Sequence, residues 1–417
     1  MRIPTLEPIA RPLPRLAEVR AGITADTFAA AAIAMILSAT GTFAILLTIG
    51  REAGFSAAFI GSLAAVVYGL GGVTTIVLSL IYRQPITVLW TIAGATLLPA
   101  ALTHMSIAEA MGACMVTSAA LVLLGLSGSI QRLTALIPLP VALGMLIGVF
   151  LPFGTRMVTS VADVPTIAGP TVLAFLVVMG VPALKRRCPP ILAAVVTGLI
   201  AVAVFDPVNT ATLPGVRFAQ PVLVMPVFRL EAILSLAPAM LLTVIAIHNA
   251  QSFAVLRARG FLPPVNATTV WIGAISAVNA LFGGIPAAVA TVHTALFSAA
   301  GPQAGRYVAA IIFGCYAVLL GLFAPTVADL ALILPGALTA TLAGLALLGV
   351  LEESFSRAFA GGHRFAALVT FLVSASGISP FGLSSAFWAL LTGLAIVWTM
   401  DRPKPAAEDD DGPENRR

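Results

Sequence analysis

The sequence predicts an all-α polytopic membrane protein with about fourteen transmembrane segments. Hydrophobic residues make up 59% of the 417 residues and charged residues only 9%, whereas soluble domains carry about 25% charged residues. A water-soluble protein with so little charge could not cover its surface. The composition therefore excludes a soluble enzyme and a nucleic-acid-binding protein, and the net charge of +5 does not change this because the basic residues are scattered singly.

Long runs without a charged residue supply the segments, because a membrane-spanning helix needs about 20 apolar residues. The runs are Thr27–Gly50, Ala53–Tyr82, Ala110–Gln131, Leu133–Thr155, Val164–Leu184, Cys188–Phe205, Ala232–Leu256, Gly260–Gly305, Tyr307–Ala328, Leu330–Leu351 and Phe365–Met400. Gly260–Gly305 and Phe365–Met400 are too long for one span, so each must hold two. With the proline-containing stretch Gln84–Ala108, the sequence predicts fourteen segments, some of them broken.

The distribution of basic residues predicts that both termini are cytoplasmic. When fourteen segments are threaded from a cytoplasmic N-terminus, 18 of the 22 Lys and Arg residues fall inside. The others, which fall outside, are Arg51, Arg156, Arg217 and Arg229. An excess of basic residues on the cytoplasmic side is typical of membrane proteins. The sequence therefore indicates a multi-pass protein of a bacterial inner membrane.

The chain divides into two halves around its longest external stretch. The expected parts are a cytoplasmic N-terminal segment at 1–20, a first repeat of seven segments at 21–205, an extracytoplasmic connecting loop at 206–230, a second repeat at 231–400 and a disordered cytoplasmic tail at 401–417. Leu123–Leu126 followed by Pro138 recurs as Leu319–Leu322 followed by Pro335. Seven segments per half would make this an inverted repeat, which is a plan of secondary transporters. The alternative is chance similarity between leucine-rich helices.

The third and tenth segments are predicted to be broken by proline. Pro85 opens a stretch of β-branched and aromatic residues, and Pro286 opens a related stretch in the second half, with helix expected from Thr294. Extended backbone in a membrane leaves amide groups unpaired unless protein covers it, so we expect the two stretches to pair at mid-membrane. The half-helices that follow would point their positive N-terminal ends at the membrane centre and favour an anion there. Two ordinary helices kinked by proline and glycine are the alternative.

Several stretches spread along the chain resemble the benzoate:proton symporter (BenE-type) family, from about Leu16 to Trp398. They are Pro85–Trp90, Ala254–Phe261 with Pro263-Pro264-Val265, Phe282-Gly283-Gly284 and Ser374–Ser379. The resemblance implies a fold similar to uracil/xanthine permeases and sulfate-type anion carriers, with seven-plus-seven inverted repeats. It also implies a core domain, a gate domain and short strands in segments three and ten.

The chain departs from this family where the substrate is expected to bind. The resemblance implies a Ser-Gln-Asn-x-Pro-Gly run in segment eight, but Ile247–Ser252 retains only Asn249 of it and has His248 at the Gln position. Ala288 replaces an expected Asn, His293 an expected Thr, and Ala93 an expected Pro. These changes leave the fold in place and put benzoate itself in question.

Two of the four histidines fall inside apolar runs. His248 lies nine residues before Arg257, about 13 Å inward at 1.5 Å per residue, and His293 lies at the start of the second half-helix. Ionisable groups inside a membrane are functional by default, and histidine titrates near neutral pH. Both are therefore candidates for proton coupling; the alternative is a neutral histidine that stabilises broken backbone. The substrate-binding candidates are Thr40, Trp90, Thr91, Gly94, Asn249, Gln251, Thr291 and Thr294.

The sequence, with this resemblance, predicts a proton-coupled secondary transporter that imports a small organic anion, most simply benzoate or a related aromatic carboxylate. A carrier of the same fold for a nucleobase or an inorganic anion is the main alternative, and an anion channel is another. An enzyme is not expected, because the His, Asp, Glu and Cys residues show no metal-ligand or nucleophile spacing. We expect no cofactor and no metal. The expected partners are the anion, protons and membrane lipid, without nucleic acid, and a homodimer is compatible with the sequence.

Overall fold

The structure is a computed structural model that describes residues 6–8, 13–130, 138–185, 188–206 and 215–400. The tail at 401–417, expected to be disordered, lies outside these residues. The first half contains α1 (Leu16–Ala21), α2 (Ala25–Leu37), α3 (Phe43–Glu52), α4 (Ala57–Tyr82), β1 (Val88–Trp90), α5 (Ile92–Ala95), α6 (Leu98–Ala101), α7 (Ile107–Ser127), α8 (Leu139–Asp163), α9 (Pro165–Gly180), α10 (Pro182–Lys185) and α11 (Pro190–Phe205).

The second half shows the same order of long helices, with a strand and a half-helix in the corresponding place. It contains α12 (Leu230–Leu242), α13 (Ala250–Ala258), α14 (Val265–Leu281), β2 (Ala287–Val289), α15 (Thr291–Phe297), α16 (Arg306–Leu322), α17 (Ala324–Ile333), α18 (Gly336–Ala358), α19 (Arg364–Ala375) and α20 (Ser385–Thr399). Short π-helical turns, Ser38–Thr42 and Thr243–Asn249, join α2 to α3 and α12 to α13. Seven helical stretches of the described chain are long and apolar enough to cross a membrane, and shorter apolar helices accompany them. The prediction of an all-α polytopic membrane protein is confirmed.

The eleventh and twelfth segments begin and end at different residues from those predicted. The run Tyr307–Ala328 was expected to be one span, but its helix ends at Leu322 and the separate short helix α17 follows. Pro325 lies in the first turn of α17, and Pro335 immediately precedes α18. Proline suits a helix start and disfavours helical backbone in the residue before it. With these prolines, residues 306–358 form three helices, whereas hydrophobicity alone predicts two spans.

The helices form two groups. The core domain consists of α2–α7 with β1 and α12–α16 with β2, and its main contacts are α4 with α16 and α7 with α14. The gate domain consists of α8, α9, α11 and α18–α20, and its main contacts are α8 with α18 and with α19. The short helix α17 packs on α4 and α3 and so lies on the core domain.

Strands β1 and β2 form a small antiparallel sheet inside the core domain. Val88 pairs with Val289, Leu89 with Ala288 and Trp90 with Ala287, and every residue of both strands is buried. The predicted broken segments are therefore confirmed as strand followed by half-helix. The second half-helix begins at Thr291 rather than at Thr294, because helical backbone follows the strand after a single residue.

Side chains from neighbouring helices satisfy the outer edges of this sheet. On the β1 edge, the Thr75 hydroxyl accepts a hydrogen bond from Val88 N (2.8 Å) and donates one to Val88 O (3.0 Å). On the β2 edge, Asn249 Oδ1 accepts from Val289 N (2.9 Å) and Ser276 Oγ accepts from Ala287 N (2.8 Å). Helices α4 and α14 and the π-helical turn before α13 thus replace the strands that a larger sheet would provide, which allows extended backbone to persist in an apolar interior.

The segment 215–229 crosses one end of the core domain as an extended strap. Its backbone N–H groups donate to Leu322 O, Leu281 O and Ala108 O at 2.7–2.9 Å, and Val222 N donates to Ser62 Oγ at 2.7 Å. These acceptors belong to four different helices, α16, α14, α7 and α4. We call this end of the molecule the linker end, and the opposite end, which carries Arg83, Arg257 and Arg306, the basic end.

Replacing Thr75 by valine is expected to destabilise the protein, because the isosteric side chain leaves a buried N–H and a buried C=O of Val88 unpaired. Each such group costs about 1–3 kcal/mol. The matched control is Thr171→Val: Thr171 is also fully buried, but its hydroxyl donates to the carbonyl of Ile167 in its own helix. Thermal unfolding of the purified variants in detergent measures the difference, and equal unfolding midpoints for the two variants would contradict the role assigned to Thr75.

Candidate functional site

A cavity of about 500 Å³ lies between the core and gate domains. Strand β1 and the starts of the half-helices form part of its core wall, together with the two π-helical regions. The core residues that line it are Leu37, Gly41, Thr42, Ile45, Leu89, Trp90, Ile92, Ile247, His248, Gln251, Ala290, Thr291, Val292 and His293. The gate domain supplies mostly apolar side chains, among them Leu143, Leu146, Phe175, Leu345 and Val350. A volume of this size suits a small organic molecule.

The cavity extends toward the basic end. Glu353, Ser354 and Arg357, in the last turns of α18, belong to its lining, and Arg357 Nη1 lies 3.1 Å from Glu353 Oε1. Arg357 is the one Arg or Lys among the described lining residues. The middle of the cavity therefore offers an anion imidazole groups and backbone amides rather than a fixed guanidinium or ammonium group.

His248 contributes an imidazole to the wall of the cavity. It lies in the π-helical turn between α12 and α13, and its Nε2 is buried without a hydrogen-bond partner among the described residues. Its backbone carbonyl accepts hydrogen bonds from the hydroxyls of Ser252 (2.8 Å) and Thr291 (3.3 Å). The irregular turn is therefore fixed to the start of α15, and the imidazole is left with a free nitrogen that can bind a proton or a ligand.

His293 has a different environment. Its Nε2 lies 2.8 Å from Ser38 Oγ in the first π-helical turn, and its ring lies 4.8 Å from the ring of Phe313. The carbonyl of Ser38 in turn accepts hydrogen bonds from Thr42 (2.9 Å) and Tyr68 (3.3 Å). His293 thus connects α15 to the first transmembrane helix, and its imidazole already has a partner where that of His248 has none.

The structure brings five of the ten predicted site residues to the cavity. These are Trp90, His248, Gln251, Thr291 and His293. Trp90 lies at the end of β1 and is only 4% exposed, so its indole forms a rigid apolar part of the wall. Gln251 and Thr291 face the same space with polar side chains.

The other five predicted site residues lie outside the lining, and the side chains of three of them bond to nearby backbone. Thr91 caps α5 by accepting from Gly94 N at 3.0 Å, and a side chain at Gly94 would meet Met240 and Thr243. Asn249 bonds to β2, and the Thr40 hydroxyl donates to Ile36 O at 2.7 Å. Thr294 is fully buried, and its hydroxyl has no partner among the described residues. Direct substrate binding by these residues stays a prediction.

The two half-helix starts are not equivalent, although the sequence suggests a symmetric pair. Thr91 caps α5 with its side chain, whereas Ala290 precedes α15 and cannot form such a bond. The first amides of α15 are therefore left for a ligand or for water, and residues 290–293 line the cavity. Only the second half-helix presents an uncapped start there.

Sequence reasoning missed the gate wall. Phe175, Leu345 and Val350 lie in uniformly apolar helices, where nothing distinguishes a cavity-facing position from a lipid-facing one. Ser38 and Tyr68 carried a weak signal, because polar groups inside a spanning helix need partners. Their arrangement around His293 depends on the π-helical turn.

The family model described as benzoate membrane transport protein (BenE) matches residues 21–399. The chain belongs to this family. The resemblance noted from the sequence is therefore confirmed, and the family is one of membrane transporters rather than enzymes.

Curated relatives and solved structures agree with membership of the BenE family. The chain is 32% identical to the inner membrane protein YdcO of Escherichia coli (strain K12) over 89% of this chain and 95% of that protein. It is 28% identical to the benzoate membrane transport protein of Acinetobacter baylyi over 89% and 94% of the two chains.

Two anion transporters share the fold. The transmembrane domain of a cyanobacterial bicarbonate transporter, BicA, superimposes with a TM-score of 0.59 at 17% identity, covering 92% of this chain and 99% of that one. Murine Slc26a9 in the inward-facing state gives 0.56 at 13% identity, covering 93% and 70%. At these identities the likeness shows the fold of this BenE-family protein and not its substrate.

Single cysteines at Gln251 and Thr291 are expected to react with a small maleimide in a background in which Cys114, Cys188 and Cys315 are replaced, because both positions line an open cavity. Ser276→Cys is the matched control: it is fully buried behind β2 and is expected to stay unreactive. Labelling of purified protein, followed by mass spectrometry, checks this. Equal labelling at all three positions would show that Gln251 and Thr291 are no more accessible than Ser276, and would contradict their place in an open cavity.

Proposed function

We propose that this protein is a proton-coupled symporter that imports a small aromatic carboxylate such as benzoate. The observation that carries the proposal is a cavity with mostly apolar walls that is lined both by His248, whose Nε2 has no hydrogen-bond partner among the described residues, and by residues 290–293 at the uncapped start of α15. Membership of a family named for benzoate transport, and a relative with that name, support the choice of substrate.

The cavity matches the two parts of such a substrate. An aromatic ring gains hydrophobic stabilisation against Trp90, Ile45 and Phe175, at about 25 cal/mol for each Å² of apolar surface buried. A carboxylate would accept hydrogen bonds from the amides at residues 291–292 and from protonated His248. Charge-assisted bonds of this kind are stronger than neutral ones.

The same arrangement explains why a proton would travel with the anion. A carboxylate in an apolar cavity needs a compensating positive charge, and a protonated imidazole in an apolar cavity needs a negative one. Each therefore stabilises the other, and by linkage each raises the affinity of the protein for the other. Uptake of one anion with one proton would be electroneutral.

The orientation of the protein in the membrane follows from the distribution of charge. We assign the basic end to the cytoplasm on the positive-inside rule, which puts both termini inside and the strap 215–229 outside, in a bacterial inner membrane. The cavity then faces the cytoplasm. The repeated order of elements and the antiparallel pairing of β1 with β2 support an inverted repeat with the boundaries expected from the sequence. A homodimer stays an expectation.

A carrier of the same fold for an inorganic anion is the second candidate, since one structural neighbour is named a bicarbonate transporter. The apolar wall argues against it, because bicarbonate has no apolar surface to bury there. A nucleobase would need more hydrogen-bonding groups than Gln251 and Thr291 provide.

Proteoliposomes that contain the purified protein are expected to accumulate labelled benzoate when the proton concentration is higher outside. A protonophore should abolish the accumulation, and unlabelled benzoate should compete far better than bicarbonate or uracil. Uptake that follows the membrane potential instead of the pH gradient would indicate a channel. Preferred competition by bicarbonate or uracil would identify the alternative carrier.

His248→Ala is expected to lower proton-driven accumulation and to flatten the dependence of uptake on pH, because the variant loses the proton-binding imidazole. His248→Gln should keep substrate counterflow better than His248→Ala, since glutamine can still donate a hydrogen bond. The matched control is His104→Gln at the linker end, where His104 contacts Ser379, and it should retain the shape of the pH profile. An unchanged profile in both His248 variants would refute the coupling role and leave His293 as the candidate.

A further inference from the structure

The last two residues of α3 fasten the core domain to the gate domain at the linker end. Glu52 forms an ion pair with Arg156, near the end of the gate helix α8. Its neighbour Arg51 donates to Thr339 Oγ1 of the gate helix α18 at 2.5 Å. Thr48, one turn earlier, donates to the carbonyl of Thr339 at 3.3 Å. The final turn of α3 therefore contacts two gate helices through polar groups.

Arg51 bonds to the chain segment that connects the core domain to the gate domain. Helix α17 lies on the core domain and α18 belongs to the gate domain, and Leu334–Pro335 connects them. The Arg51 guanidinium donates to Ala331 O (3.2 Å) and Leu332 O (3.0 Å) in the last turn of α17, and to Leu334 O (2.9 Å) in the joint. Together with Thr339, these acceptors set the angle at which α18 leaves α17.

The acceptors explain why an arginine occupies this position without a carboxylate partner. The last carbonyls of a helix lack intrahelical partners and carry partial negative charge. Pro335 supplies no N–H group, so the end of α17 depends on side chains for its hydrogen bonds. A guanidinium has five donors in a planar fork and can reach several carbonyls at once, whereas an ammonium group cannot hold the same set.

At the basic end, the interface between the core and gate domains lacks, among the described residues, the polar contacts described for α3. The cavity reaches the basic end between the domains, where Glu353 and Arg357 of the gate helix pair with each other rather than with the core domain. The outer halves of the two π-interrupted helices, α3 and α12, contact the gate helices α18 and α20 respectively. Ser384 at the start of α20 bonds to Ser235 of α12 through two hydrogen bonds, at 2.7 and 2.8 Å. The domains are thus joined at the linker end and separated by the cavity toward the basic end.

We propose that Arg51, Glu52 and Arg156 form a latch that keeps the linker end closed, and that releasing it lets the cavity open on that side. This inference rests on the proposed transport function, which requires the cavity to open at each end in turn. Because the core domain is tied by the strap at this end, the gate domain moves against it as one body. When the linker end opens, the hydrogen bonds from Arg51 break, the Leu334–Pro335 joint bends and the Glu52–Arg156 ion pair separates.

The test measures which end is open and needs no substrate. In the cysteine-replaced background, Thr48→Cys reports on the linker end, since Thr48 is 5% exposed and lies beneath the latch. Gln251→Cys reports on the cavity. Maleimide labelling rates of both reporters are measured on purified protein in lipid nanodiscs, with and without a change in the latch.

Glu52→Gln and Arg156→Gln are each expected to raise the labelling rate of Thr48→Cys by about fivefold or more and to lower that of Gln251→Cys, because labelling follows the population of each conformation. The charge exchange Glu52→Arg with Arg156→Glu should restore both rates. Arg51→Lys keeps the charge but loses the planar fork, and it should act in the same direction as the first two variants. Arg217→Gln is the matched control: it removes a comparably exposed ion pair, with Asp329, at the same end.

Unchanged labelling of Thr48→Cys in the Glu52 and Arg156 variants would overturn the latch, and so would faster labelling of both reporters, which signals general loosening. The proposed transport function fails separately: opposite changes at the two reporters in a protein that takes up no benzoate would support the latch and refute the substrate.

Discussion

The structure depends on hydrogen-bonding two strands of extended backbone inside an apolar interior. A spanning helix satisfies its own amides, but a strand of three residues has two open edges, and each unpaired group there would cost several kcal/mol. Strands β1 and β2 pair with one another along one edge each. On their outer edges, the side chains of Thr75, Asn249 and Ser276 accept hydrogen bonds from backbone N–H groups. This pairing holds the two halves of the chain together and places both half-helix starts beside one space.

The electrostatics of the cavity follow from that placement. The strands end where α5 and α15 begin, so helix starts and the irregular π-helical turns gather at one depth. Thr91 closes the start of α5, while the start of α15 remains open beside His248. The proposed site is consequently one-sided: the proposed binding groups come from the core domain, and the gate domain provides a mostly apolar cover. A substrate held in this way would be released by movement of the cover, without breaking the strands.

Much of this architecture could be predicted from the sequence, for identifiable reasons. Pro85 and Pro286 each open a stretch rich in β-branched residues or close to glycine, so the broken segments were visible, and the apolar runs identified a polytopic membrane protein. The roles of Thr75 and Ser276 were not visible, because a lone hydroxyl in an apolar helix usually bonds to its own backbone, as that of Thr171 does. The separate helix α17 was missed because hydrophobicity continues across Leu322–Ala324. Five of the ten predicted site residues lie outside the lining of the cavity, since residue type and depth do not give the direction of a side chain.

The strap at 215–229 shows how a connection can be demanding in geometry and yet permissive in sequence. Four of its anchoring hydrogen bonds come from its own backbone N–H groups: three reach carbonyls at helix ends or in a first helical turn, and one reaches the Ser62 hydroxyl on the helix below. These four anchors require no particular side chain on the strap beyond the absence of proline at the donating positions, and Arg217 adds an ion pair with Asp329. Two of the four lie on helices from each half of the chain, so the segment that links the halves also measures their separation. Among related proteins, the length of this segment should therefore vary less than its residues do, and comparison of amino acids alone would mistake it for an unimportant loop.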